Sequence, residues 1–392
     1  AASAATGVGI DEIRGLLAPG RTAALIGSSG VGKSALTNRL LGGEVREVGA
    51  VRDSDGRGRH TTVGRELIRA PEGWLLMDLP GIREVLAEQG LDPNLVTLAV
   101  VEKRAATQAL ATHPAVKSID FTGGNVFGQW LLDNARQAQV YAELAGVNNV
   151  VIESTDSYKA MLRNLAFTLS LYSGQMCTTT QAILVPAGGI DTDQGHKSYD
   201  EVAADLGAAI SKFLSDPAVA TAVLGAIQSE ATLARIDECQ SGQYGKVVLA
   251  SSKVEHPEFP GAEVRTPVLL ACDAADEANY MEERFGPIAF VVKVADGAAA
   301  VALSERMVRE HGALTVGVYS TRPEILDAMT EATLNAGVAL SINLTGGVFV
   351  NQSAAFSDYH GVGMNPAANA AYSDAAFVAN RFRVVQRRYH VE

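Results

Sequence analysis

Short strand-like apolar segments alternate with helix-like amphipathic ones from Thr22 onward, and this alternation constrains the fold more than any other feature. Parallel strands need long crossover connections, usually helices, so the pattern favours an α/β architecture over a sandwich or a bundle. The first strand is predicted at 22–26. A glycine-rich turn follows, then a helix from Lys33 to Leu41 closed by Gly42 and Gly43. An arginine-rich polar stretch fills 44–65, and a strand at 74–78 turns at Pro80-Gly81. Next come a helix from Arg83 to Gly90, a strand at 95–100, a helix over 102–112, a strand at 118–122, a helix over 126–137 and a strand near 140–144. Leu162, Leu165, Ala166 and Leu169 share one helical face, so 157–172 is predicted as a core-packed helix. Beyond 178 a second α/β array is expected, with strands at 182–185, 245–250, 268–271, 289–294 and 314–319. Residues 381–389 alternate like an edge strand suited to pairing between subunits.

At 392 residues the chain is long enough for more than one domain. Apolar residues make up 47% and charged residues 19%, without an uncharged apolar run of spanning length, which excludes a disordered polymer and a helical membrane protein. The net charge of −12 repels phosphate backbones and argues against a general nucleic-acid binder. Cys177, Cys239 and Cys272 are too few for a disulfide framework, so reduced thiols are expected. The first residues lack the basic region and apolar core of a secretory signal. The expectation is an acidic, soluble, cytoplasmic protein.

Gly27-Ser-Ser-Gly30-Val-Gly32-Lys33-Ser34 fits a phosphate loop, and it falls between a predicted strand and a predicted helix, as the mechanism demands. Glycines let main-chain N–H groups turn toward phosphate oxygens, and the helix N-terminus adds its dipole. Lys33 would reach the β- and γ-phosphates, with Ser34 and Asp78 on Mg²⁺. Gly81 falls near the γ-phosphate, and Thr62 sits where a switch threonine is expected. These elements together resemble the circularly permuted, ribosome-associated GTPases of the small subunit, over about residues 10–84. The resemblance implies GTP and Mg²⁺ as ligands. That family's guanine-reading Asn-Lys-x-Asp element does not precede Gly27 here, and its OB-fold and zinc module have no counterpart, so ribosome association is not expected.

Tyr172-Ser-Gly-Gln-Met-Cys177-Thr-Thr-Thr carries a cysteine among small and polar residues at a helix-to-turn passage, unlike Cys272, which closes an apolar run. Glu143, in Glu-Leu-Ala-Gly146, lies 34 residues earlier at a strand end, where a carboxylate can face a cleft. Glu282-Glu283-Arg-Phe285-Gly-Pro287 precedes a strong strand, and Phe121-Thr-Gly123-Gly124 joins a strand to a helix in the manner of a pyrophosphate-binding turn. A soft thiolate beside a partly shielded carboxylate suits a nucleophile and general base.

These four elements, in this order, resemble the aldehyde dehydrogenase superfamily over about residues 83–392, and the wording around Cys177 is similar to its phenylacetic acid degradation branch. The resemblance implies Cys177 as nucleophile, Glu143 as base, Glu283 on the nicotinamide ribose, Phe285 lining that end of the cleft, and Gly123 and Gly124 against the cofactor phosphates. NAD or NADP is the implied cofactor, an aldehyde the substrate and a homo-oligomer the assembly. Asn343 and Phe356 fall in a segment resembling the family's return strand and substrate-pocket loop, and His360 reads as a loop histidine. The family's Pro-Trp-Asn-type loop, which completes its oxyanion hole, has no counterpart in this sequence. Loss of one such donor costs about 10²–10³ in rate, so reduced activity is implied.

The expected organisation is a GTPase-like piece over 1–84, a partial dinucleotide-binding domain over 85–146, a catalytic domain over 147–348 and a return segment with an oligomerisation strand over 349–392. The fold class is an incomplete or hybrid doubly wound parallel sheet joined to an aldehyde dehydrogenase-like α/β domain. The leading function is NAD(P)-dependent oxidation of an aldehyde to a carboxylic acid. The alternatives are a GTP-binding or GTP-hydrolysing fragment with an inert dehydrogenase portion, or a fusion without activity. Cofactor-free hydrolysis of activated esters by Cys177 and Glu143 is a residual expectation.

Overall fold

The computed structural model describes residues 7–17, 22–25, 33–41, 66–70, 75–78, 101, 103–350 and 363–370. The chain divides into two compact units, residues 1–102 with 255–262, and residues 103–254 with 263–392. Among the described residues no helix is long and apolar enough to cross a membrane.

In the first unit α1 (Ile10–Leu16), β1 (Thr22–Leu25), α2 (Lys33–Leu41), β2 (Glu66–Arg69) and β3 (Leu75–Asp78) follow in order. β1 pairs in parallel with β3, from Thr22 opposite Leu75 to Leu25 opposite Asp78. β2 pairs antiparallel with β3, so this small sheet is mixed where a parallel one was expected. Ile10, Leu40, Leu41 and Ala70 form its buried cluster. The expected strand, helix and strand around the phosphate-loop motif thus form at 22–25, 33–41 and 75–78. Gly27, Gly30, Gly32, Thr62 and Gly81 lie outside the described residues, as do the predicted helix at 83–90, the strand at 95–100, Phe356, His360 and the 381–389 segment. The hybrid-sheet expectation depends on 95–100 and therefore also lies outside them.

The second unit opens with α3 (Arg104–Ala111), β4 (Ser118–Thr122), α4 (Asn125–Asn134) and β5 (Gln139–Glu143). β4 and β5 pair in parallel, ending with Thr122 opposite Glu143. After β6 (Asn149–Ile152) and the two-residue β7 (Ser154–Thr155) come α5 (Tyr158–Ser170), a 3₁₀ turn at Leu171–Gly174 and β8 (Ala182–Pro186). A hairpin of β9 (Ile190–Thr192) and β10 (Gly195–Lys197) leads to α6 (Tyr199–Phe213), α7 (Pro217–Val223) and α8 (Glu230–Gln240). Then follow β11 (Lys246–Leu249), the paired β12 (Lys253–Val254) and β13 (Val264–Arg265), β14 (Val268–Asp273), α9 (Glu277–Tyr280) and β15 (Ile288–Val294). The last described elements are α10 (Gly297–His311), β16 (Thr315–Tyr319), α11 (Pro323–Ala336) and β17 (Ala339–Ile342).

Seven strands form the main sheet in the order β11-β14-β15-β8-β6-β16-β17. All its pairings are parallel except the edge strand β11, which runs antiparallel to β14. Successive side chains of its strands fall in different buried layers. Val150, Ile152, Ile183, Val185, Ala289 and Val291 pack with α5 and α6. Val151, Leu184, Phe290 and Val292 pack with α8, α10 and α11. Burial on both faces explains the near-continuous apolar runs of these strands. Cys239 and Cys272 lie in the second layer, where burial pushes their thiols up to about 11 and about 12.

The expectation of a second α/β array starting beyond 178 is corrected, because β6, which precedes α5, already belongs to this sheet. Helix α5 is therefore the crossover from β6 to β8. The reason β6 escaped the pattern is physical: it is only four residues long, opens with an asparagine and shows no alternation.

Candidate active site

Cys177 stands beyond an abrupt reversal of the chain. After α5 the backbone passes through three consecutive left-handed residues, Tyr172 (φ 52°), Ser173 (φ 52°) and Gly174 (φ 63°). Two of them are not glycine, and such residues cost about 1–3 kcal/mol each unless the surroundings fix them. The Ser173 hydroxyl, fully buried, lies 2.9 Å from the Gly225 carbonyl oxygen and 2.8 Å from that of Arg265. Gln175 adds a second clamp, donating from Nε2 to the Ala226 carbonyl and accepting from the Gln228 N–H. A Cβ on Gly174 would come within 2.3 Å of the Gly286 carbonyl oxygen, so only glycine permits this approach to the 282–286 segment.

Glu143 closes β5, as predicted, and is 5% exposed. Its strand is held by part of the expected return segment, through residues that were not themselves expected at the site. Residues 142–144 lie against 367–369: the Leu144 N–H donates to the Ala367 carbonyl, and Ala142 exchanges bonds with the main chain and side chain of Asn369. The Asn365 amide in turn binds the main chain at Ala313, Gly337 and Ala367. The signal in the sequence was present only as asparagines near a proline.

A cleft of about 1580 Å³ is lined by Thr122–Asn125, Ala142–Val147, Gln175–Cys177, Met281–Glu283 and Phe285, with Ser229, Thr232 and Arg235 of the α8 region. It lies where the carboxyl ends of β4 and β5 meet the amino ends of β6, β8 and β15. The six residues expected around one reaction centre, Cys177, Glu143, Gly123, Gly124, Glu283 and Phe285, all line it. Gly123 donates its N–H to the Glu143 carbonyl, and Gly124 caps the ten-residue helix α4 with open space where a Cβ would stand.

Burial pushes the Glu283 carboxyl up to about 7, against the opposing pull of the nearby Gly146 N–H and of Arg235. The Arg235 guanidinium donates to the Phe285 carbonyl oxygen at 2.6 Å, and the Phe285 side chain is 38% exposed. Gln181 binds the same segment from beneath: Nε2 donates to the carbonyls of Tyr280 and Glu282, and Oε1 accepts from the Arg284 N–H. Asn343, by contrast, follows β17 with φ 48° and spends its amide on the main chain of Ser320, outside the cleft lining. In the first unit Lys33 and Ser34 open α2, and Asp78 ends β3. Among the described residues no group of three or more His, Cys, Asp or Glu side chains is placed to hold a metal ion.

A family model for the aldehyde dehydrogenase family matches residues 81–365, and one for the RsgA GTPase matches residues 1–88. Among solved structures, an NAD-dependent aldehyde dehydrogenase from Burkholderia multivorans is 55% identical, with a TM-score of 0.74, over 79% of this chain and 55% of that one. A 1-pyrroline-5-carboxylate dehydrogenase, 20% identical with a TM-score of 0.51 over 68% of this chain and 50% of that one, shares the fold. Among curated proteins, small ribosomal subunit biogenesis GTPase RsgA 2 of Lactiplantibacillus plantarum is 49% identical over 83 residues, 21% of this chain and 24% of that protein. The RsgA GTPase of Xylella fastidiosa strain M12 is 59% identical over 69 residues, 18% of this chain and 21% of that protein. The chain thus spans about half of the Burkholderia enzyme and about a quarter of the GTPases. Both resemblances read from the sequence are borne out, and over most of its length the chain belongs to the aldehyde dehydrogenase family.

Proposed function

We propose that this protein oxidises an aldehyde to a carboxylic acid, with Cys177 as nucleophile and Glu143 as general base. The observation that carries the proposal is that both residues line one cleft, together with the Gly123–Gly124 turn and Glu283. Family membership and 55% identity to an NAD-dependent aldehyde dehydrogenase support it.

The residues fit a nicotinamide dinucleotide. Gly124 leaves its main chain open at the start of α4, where helix N–H groups suit phosphate, and Glu283 and Phe285 flank the turn carrying Cys177. When bound, NAD or NADP supplies the hydride acceptor. Gly123 and Gly124 would hold its phosphates, Glu283 its ribose hydroxyls, and Phe285 would line the nicotinamide end. The Cys177 thiolate forms a C–S bond to the aldehyde carbon, and the oxygen takes a proton to give a thiohemiacetal. The oxidised adduct is a thioester of Cys177. Glu143 removes a proton from water as it adds to that carbon, and the C–S bond breaks to release acid and thiolate. The open cleft admits substrate, while the buried position of Glu143 keeps the base shielded between turnovers.

In this reading residues 85–146 serve as a partial dinucleotide-binding domain, 147–348 as the catalytic domain and 349–392 as the return segment. The wording around Cys177 favours an aromatic-catabolic semialdehyde as substrate, and a homo-oligomer as the working form. A second reading, GTP binding by residues 1–84, draws on the two GTPase matches and on the β1–α2 arrangement around the phosphate-loop motif. The experiment supplies purified protein with medium-chain and aromatic aldehydes and each nicotinamide cofactor. It reads cofactor reduction by absorbance and acylation of Cys177 by mass, with GTP turnover followed on the same sample. Aldehyde-dependent reduction supports the first reading. GTP turnover without it supports the second.

A further inference from the structure

The Asn148 side chain, 2% exposed, joins the two arms of the proposed site. Its Nδ2 donates to the carbonyl of Cys177 at 2.7 Å and to that of Thr179 at 3.1 Å. Its Oδ1 accepts from the N–H groups of Leu314 at 2.9 Å and Thr315 at 3.1 Å. Two carbonyls on one side and two N–H groups on the other admit a single orientation of the amide. Its own carbonyl accepts from the N–H groups of Gln181 and Ala182, at 2.9 and 3.2 Å. Asn148 is therefore bonded to the turn before β8 both by side chain and by main chain. It stands five residues after Glu143 on the segment that continues into β6.

On that turn the Thr178, Thr179 and Thr180 hydroxyls are buried without a protein hydrogen-bond partner, and the Thr179 N–H donates to the Met176 carbonyl at 3.1 Å. A buried amide at full capacity is a rigid tie, because breaking any of its bonds leaves a desolvated polar group. Where reacting groups must meet within a few tenths of an ångström, a displacement of 1 Å can cost about 10²-fold.

We propose that Asn148 is a positioning residue that sets where Cys177 stands relative to Glu143. This rests on the reading of Cys177 as nucleophile and Glu143 as base. Asn148 touches no substrate and acts through the nucleophile's own carbonyl.

The test uses the full chain and p-nitrophenyl acetate, an activated ester whose burst reports acylation of Cys177 and whose steady state reports deacylation. Asn148→Asp keeps acceptors for Leu314 and Thr315 and loses both donors to the turn. Asn148→Ser is the companion, without a buried charge. Below the melting transition of each variant, the expected result is a fall in kcat of about 10²-fold with KM within about threefold. In a Glu143→Gln background the same substitution should lower deacylation by less than about threefold, because the pairing it disturbs is already gone. A merely structural residue would lower the melting temperature and leave kcat unchanged. That result overturns the proposal, as does a full multiplicative loss in the Glu143→Gln background or failure of both variants to fold. Ester turnover that survives Cys177→Ala would instead sink the underlying reading. Turnover abolished by Cys177→Ala but normal in Asn148→Asp sinks the positioning role alone.

Discussion

The main-chain N–H of Gly146, three residues beyond Glu143, faces the Glu283 carboxyl closely enough to oppose the rise that burial gives its pKa. The base-bearing turn thus lies beside the segment proposed to hold the cofactor ribose. Gly146 has little freedom, because a Cβ there would meet the Gly312 carbonyl oxygen at 3.0 Å and the Ala367 Cβ at 3.1 Å. The base, the return segment and the cofactor side of the cleft are therefore assembled around one glycine.

Glu283 makes stability depend on pH. Its folded-state carboxyl is raised from 4.5 to about 7. Native protein then holds a proton that the unfolded chain releases, and stability falls as pH rises from about 4.5 to about 7. Allowing for its partial exposure, the loss is about 2 kcal/mol. Glu283→Gln should flatten the pH profile of the melting temperature across that window. An unchanged profile would remove Glu283 as its source.

Gly174→Ala should disrupt the approach of the nucleophile turn to the 282–286 segment. The residue is left-handed and its added methyl would sit 2.3 Å from the Gly286 carbonyl oxygen. The expected cost is about 1–3 kcal/mol, with faster amide exchange at Gly286 and Ile288 than in the parent. Exchange that is unaffected there would show that the two segments are not coupled through this contact.

Asn365→Ala removes an amide bound to main-chain groups of Ala313, Gly337 and Ala367. The expected loss is about 2–3 kcal/mol, because the released groups are partly buried. Since Ala367 accepts from the Leu144 N–H, the effect should spread to the exchange of the Leu144 amide. A loss confined to 363–370 would separate the return segment from Glu143.

Much of this arrangement was legible in the sequence, for identifiable reasons. β8, β14, β15 and β16 fall within a residue or two of expectation, because strands buried on both faces are nearly continuous apolar runs, and β4, whose residues alternate between exposed and half-buried, spans the predicted 118–122. Glu143, Cys177, Glu283 and the paired glycines stood out because each sits at a strand end or turn, where a polar residue after an apolar run signals a cleft. The amides that hold them did not. Asn148, Gln181, Asn365 and Asn369 act by bonding main chain far away in sequence, and nothing local distinguishes them from loop asparagines and glutamines. β6 was missed for its shortness. The strand predicted at 245–250 forms as β11, but its antiparallel direction, like that of β2, depends on partners rather than pattern.

The most direct test of the central claim is mass analysis of Cys177 after mixing the protein with aldehyde and NAD or NADP, alongside cofactor absorbance. The account predicts a transient acyl adduct on Cys177 that accumulates in Glu143→Gln, and loss of cofactor reduction in Cys177→Ala. Undiminished cofactor reduction by Cys177→Ala would contradict it.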